Sequence, residues 1–130
     1  MSCKYDMIEQ NFRRNGFRPI HAGDDYEHAF TAEQAGSAMD ISGAKIWLTV
    51  KRNQADADSA ALLQYSTAGV NIQITDGVNG QFTVFFGSAD TADLAGTWWY
   101  DIKVRFVSGK ILRLAYGRIE FLPNITQAYV

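Results

Sequence analysis

Gly96-Thr97-Trp98-Trp99-Tyr100-Asp101-Ile102-Lys103-Val104-Arg105-Phe106-Val107 is the stretch that decides the fold. From Trp98 onward, Trp98, Tyr100, Ile102, Val104 and Phe106 fill one set of alternate positions, all apolar or aromatic. Trp99, Asp101, Lys103, Arg105 and Val107 fill the other, and three of these five are charged. Successive side chains of an extended chain point to opposite faces, so this pattern predicts a β-strand with one buried and one wet face. Burying a large apolar side chain contributes ~1.5–3 kcal/mol, so the first set supplies on the order of ten kcal/mol before chain entropy is counted. A strand of this kind needs a sheet beside it and a second layer across from it.

The flanking sequence supplies both. Downstream, Ser108-Gly109 predicts a tight turn, and Lys110–Tyr116 runs back with Ile111, Leu112 and Leu114. Gly117 predicts a bulge or bend in that strand, Arg118–Leu122 continues it, and Pro123 ends it. Upstream, Ser88–Ala95 reads as one helical turn, with Gly96 as a left-handed stop. Val70–Thr75 and Gln81–Gly87 alternate around the turn Asp76-Gly77-Val78-Asn79-Gly80 and form a hairpin. Asp56-Ala57-Asp58-Ser59-Ala60-Ala61-Leu62-Leu63-Gln64 places carboxylates before good helix formers and predicts a short capped helix ending before Gly69.

Lys45–Arg52 is a strand with Ile46, Leu48 and Val50 on one face and Trp47 and Thr49 on the other. Glu33–Ala38, containing Gly36, reads as a loop; Tyr26–Thr31 is a strand, and Pro19–Ala22 is a short edge strand. The expected fold is all-β: an immunoglobulin-like antiparallel β-sandwich of about seven strands with two short helical connections. A barrel is the competing architecture. Residues 1–17, with a turn at Asn15-Gly16, form an N-terminal arm or edge strand, residues 18–123 the sandwich and residues 124–130 a tail.

Composition narrows the function. The chain has 130 residues, 47% of them hydrophobic, enough for one domain with a core. A net charge of −2 supplies no basic field for nucleic acid, and Arg13, Arg14 and Arg18 read as solvated surface. The single cysteine, Cys3, allows no internal disulfide and reads as a chance free thiol. The first residues lack the apolar run of a secretory signal, and no segment is long and apolar enough for a membrane span, so synthesis and assembly in a reducing cytosol are expected.

No constellation predicts catalysis. His21 and His28 are seven apart, and His28 is in phase with Tyr26 and Phe30, which makes it a packed strand histidine. No nucleophile elbow or phosphate-cradling glycine loop occurs. Asp24-Asp25, Asp56-x-Asp58 and Asp76…Asn79 offer oxygen ligands, but none matches a calcium loop, and capping and turn chemistry accounts for Asp56, Asp58 and Asp76. Asn124-Ile125-Thr126 is a formal glycosylation sequon. No catalytic residue, metal or cofactor is therefore expected. What remains is aromatic surface: by phase, Trp98 and Tyr100 face the core, while Trp47 and Trp99 face outward on neighbouring strands. Outward tryptophans mark an interface between chains or, alternatively, a carbohydrate platform.

Four pieces in order, Asp40-Ile41-Ser42-Gly43-Ala44, Asp56–Gln64, Ile72-Gln73-Ile74-Thr75 with its turn, and Ser88–Asp101, resemble tailed-phage baseplate and tail proteins. The match is to the small β-sandwich domain of baseplate upper proteins and related prophage tail proteins, from about Gly23 to Pro123. Residues 1–17 fall outside it, and Glu33–Met39 lacks the Asp/Gly hairpin turn of that pattern. The resemblance implies a non-enzymatic virion component that contacts other tail or baseplate proteins and forms a homo-oligomer. It would be made in the bacterial cytoplasm and end in the virion tail.

Overall fold

Alternation of apolar and polar residues becomes two packed β layers in the computed structural model, which describes residues 17–125. The strands are β1 (Ile20–His21), β2 (Tyr26–Thr31), β3 (Glu33–Gln34), β4 (Ser37–Ala38), β5 (Lys45–Lys51), β6 (Leu63–Ser66), β7 (Ile72–Asp76), β8 (Gln81–Phe86), β9 (Gly96–Arg105) and β10 (Ile111–Leu122). A 3-10 turn spans Asp58–Ala60, and the single helical turn α1 spans Ser88–Thr91. One sheet has the order β1-β10-β9-β5-β6 and the other β2-β8-β7, with β3 and β4 forming a separate small hairpin.

A β-sandwich forms, as expected, and β9 lies at the centre of the larger sheet between β10 and β5. Tyr100, Ile102 and Val104 are buried, with Trp98 and Phe106 packed at the margin of the same core. Ile46, Leu48 and Val50 of β5 lie beside them, opposite Phe82, Val84 and Phe86 of β8 and Phe30 of β2. Phe17, the last residue of the stretch expected as an arm or edge strand, packs into this core. Its ring meets those of His28, Phe30, Phe86 and Tyr100 edge-on at centroid distances of 5.0–5.5 Å. Residues 1–16, with Cys3, Arg13, Arg14 and the Asn15-Gly16 turn, and residues 126–130 lie outside the described part of the chain.

Four expectations are corrected. The helix over Asp56–Gln64 is absent: after the 3-10 turn the chain is extended, and Leu63 and Tyr65 go into the core as part of β6. Tertiary burial of alternate residues overrides helix propensity here. Asp56 accepts the Asn53 N–H instead of capping, and Asp58 pairs with Lys51 at 2.7 Å. The irregularity of β10 falls between Arg113 and Ala115, and the strand runs through Gly117 without a break.

Glu33–Ala38 is a hairpin, β3 to β4, whose two turn residues Ala35 and Gly36 both have positive φ, 54° and 81°. That is the two-residue turn whose twist matches the strands it joins. Finally, β1 pairs with β10 in parallel, so the larger sheet is not wholly antiparallel.

Candidate functional site on the outer face of the larger sheet

Strand register determines which side chains share the solvent side of the five-stranded sheet. Trp47 on β5 pairs with Lys103 on β9, and Lys51 pairs with Trp99. Across β9, Arg113 pairs with Lys103, Tyr116 with Asp101 and Arg118 with Trp99. Trp47 and Trp99 are thus both on the outer face, half-buried, on neighbouring strands. They do not touch: four residues of register separate them, about 13 Å along the strands.

The residues between them are polar and cationic. Lys51 reaches Oδ1 of Asp58 at 2.7 Å and donates to the Asp56 carbonyl, also at 2.7 Å. Arg113 Nε lies 3.6 Å from Oδ2 of Asp101 and holds its guanidinium 4.8 Å above the Tyr116 ring. Arg118 lies 4.3 Å above the Trp99 ring. Gln64 donates to the Thr49 hydroxyl at 3.1 Å. Burial pushes the Asp101 carboxyl up from its ordinary value, and Arg113, Lys103 and Lys51 oppose that shift.

Two adjoining depressions cross this face. One, of about 80 Å³, is walled by Trp99, Tyr116, Asp101 and Arg113. The other, of about 530 Å³, runs from Trp47 past Lys103, Gln64 and Asp58. Thr49, Lys51, Gln54, Asp101 and Arg113 line both.

Elsewhere, side chains chosen as possible ligands do structural work. His28 points inward, its ring 4.3 Å from Phe30 and its Nδ1 3.3 Å from the Tyr26 hydroxyl, while His21 is exposed on β1. Desolvation, helped by the Arg18 charge, lowers the His28 pKa to about 4. Asp76 accepts from the Asn79 side chain at 2.8 Å within the β7–β8 turn. Among the described residues, no three His, Cys, Asp or Glu side chains gather as a metal site.

The outward phase of Trp47 and Trp99 is readable from alternation. The outward turn of Tyr116 and the pairing of Arg118 with Trp99 are not. A bulge at Gly117 leaves Tyr116 in phase with Leu112 and Leu114, whereas the observed bulge at Leu114 turns Tyr116 to the surface, 37% exposed.

No protein-family model and no characterised protein matches this sequence. Among solved structures, the fold is similar to the "N-terminal domain of phage TP901-1 ORF48", with a TM-score of 0.53. The likeness covers 81% of this chain and 85% of that chain at 8% sequence identity. At such identity the similarity is one of fold. Among the described residues, no helix is long and apolar enough to cross a membrane.

Proposed function

We propose that this chain is a non-enzymatic structural component of a phage or prophage tail or baseplate, acting through protein–protein contacts. The observation that carries the reading is the shared fold with the N-terminal domain of a phage protein across most of both chains. On this reading the partners are other tail proteins and further copies of the chain, assembled in the host cytoplasm and retained in the virion tail. Trp47 and Trp99 are the anchors, since Trp, Tyr and Arg dominate the energetic centres of interfaces.

The test is co-purification of the tagged chain with products of the neighbouring tail genes. Capture that weakens in a folded Trp47→Ala/Trp99→Ala variant supports the reading, and capture of none of them counts against it.

A second reading, carbohydrate binding, draws on the two adjoining depressions, one lined by Trp47 and the other by Trp99. Arg118 already occupies one face of Trp99, which leaves Trp47 as the better stacking surface. Glycan-array binding abolished by Trp47→Ala, with folding intact, would favour it over the first.

A further inference from the structure

Charge is segregated between the two layers. No lysine or arginine occurs from residue 19 to 44 or from 53 to 102. All three strands of the smaller sheet, and α1, fall in those ranges. Six of the nine described lysines and arginines, namely Lys45, Lys51, Lys103, Arg105, Arg113 and Arg118, stand on the outer face of the larger sheet. Against them that face has two strand carboxylates, Asp101 and Glu120, with Asp58 reaching in from a loop to Lys51. A molecule of net charge −2 therefore presents one cationic face.

Four of the twelve described carboxylates gather at one end of the sandwich, in segments without a lysine or arginine. Asp24 and Asp25 follow β1, and Asp90 and Asp93 lie in and just after α1; all four are exposed. Two long-range bonds hold these segments together: Ser88 N–H to Asp25 Oδ1 at 2.9 Å and Gly23 N–H to the Thr91 hydroxyl at 3.0 Å. Asp90 is engaged by Tyr65. The acidic end and the cationic face are different surfaces of the same chain.

We infer that copies of this chain associate head to tail, the acidic end of one (Asp24, Asp25, Asp93) docking on the cationic outer face of the next, around Arg113 and Arg118. The occupant is a second copy because the complementary surface is present in the chain itself. Opposite patches steer encounter and set register, while like-charged alternatives, face on face or end on end, repel. The two arginines stacked on Tyr116 and Trp99 add the residue types that anchor interfaces. Two different patches in contact make a heterologous interface, which closes into a ring when the rotation permits and otherwise extends. The inference deepens the self-association in the proposed function and is independent of which virion part the chain enters.

Sedimentation velocity on the full chain across a concentration series tests it, at low and at high salt. The expected result is salt-sensitive association. R113E/R118E and D24K/D25K/D93K should each weaken association by about tenfold or more. Mixing the two variants should restore it, because each then presents the sign that the other needs. Circular dichroism checks folding, and K103E/R105E replaces the first variant if that one fails to fold. A wild-type monomer at all concentrations overturns the inference, and so does association that neither reversal weakens. Capture of tail neighbours by a chain that stays monomeric would sink this contact and leave the tail role standing.

Discussion

The phenol of Tyr65 donates a 2.6 Å hydrogen bond to Oδ2 of Asp90. Tyr65 stands on β6 at the edge of the larger sheet, whereas Asp90 lies in α1, directly after β8 of the smaller one. The bond therefore ties one layer to the crossing that leaves the other. Burial, and then the Asp90 bond, push the Tyr65 pKa above its ordinary value of 10. In the unfolded chain the phenol ionises near pH 10, while the folded one keeps its proton beyond that. Stability is thus intact below about pH 10 and declines above it. Tyr65→Phe should cost about 1–2 kcal/mol at neutral pH and flatten the alkaline decline. Urea unfolding at pH 7 and pH 10.5 checks both; equal pH slopes in the two proteins would contradict the assignment.

His28 makes the corresponding prediction in acid. Its folded pKa of about 4 lies below the ordinary 6.5 because burial disfavours the imidazolium. The unfolded chain then binds the extra proton between those values. Stability is full above pH 6.5 and falls as pH drops toward 4. His28→Gln should remove that part of the slope, read from thermal melts at pH 7, 5.5 and 4.5.

Ile102 and Lys103 are adjacent on the central strand and face opposite ways. Ile102 is fully buried, whereas Lys103 is exposed on the outer face. Ile102→Asp buries an unpaired carboxylate and should unfold the domain, a loss of about 4 kcal/mol or more. Lys103→Asp should change stability by about 0.5 kcal/mol or less. Circular dichroism and denaturant titration separate the two. Equal losses would show the wrong phase for β9.

Two glycines with positive φ give a steric contrast. A Cβ at Gly80 would sit 2.6 Å from the Ala32 carbonyl oxygen and 2.8 Å from that of Met39, with φ +72°. At Gly36 the φ is +81°, yet nothing lies within 4 Å of the added atom. Gly36→Ala should therefore cost only the left-handed strain, about 1–2 kcal/mol. Gly80→Ala adds a backbone clash where the β7–β8 turn meets residues 32 and 39, and it should cost clearly more. Denaturation midpoints of the two variants decide it.

Which parts of this arrangement can be read in the sequence follows from the range of the forces involved. Alternation is local, so β2, β5, β8 and β9 and the inward phase of Ile102 or Phe82 are legible residue by residue. The β7–β8 hairpin is legible because its turn residues are local as well. β6 is not: Leu62-Leu63-Gln64 carries helix propensity, and only the pairing of Leu63 with Val50 and Tyr65 with Leu48 draws it into the sheet. The burial of Phe17 is not legible either, because its ring partners come from β2, β8 and β9, distant in sequence. For the candidate site, Trp47 and Trp99 are legible by phase. Arg118 over Trp99 depends on the β10 bulge, which no local residue type marks.

On the proposed reading, this β-sandwich serves a phage tail through its surfaces rather than through chemistry inside it. A decisive measurement is quantitative mass spectrometry of purified, nuclease-treated phage particles from cells that carry the gene, with antibody labelling under the electron microscope. The expected result is the chain at fixed copy number in intact particles, with label on the tail. Recovery of the chain free in the lysate, with none in the particles, would contradict it.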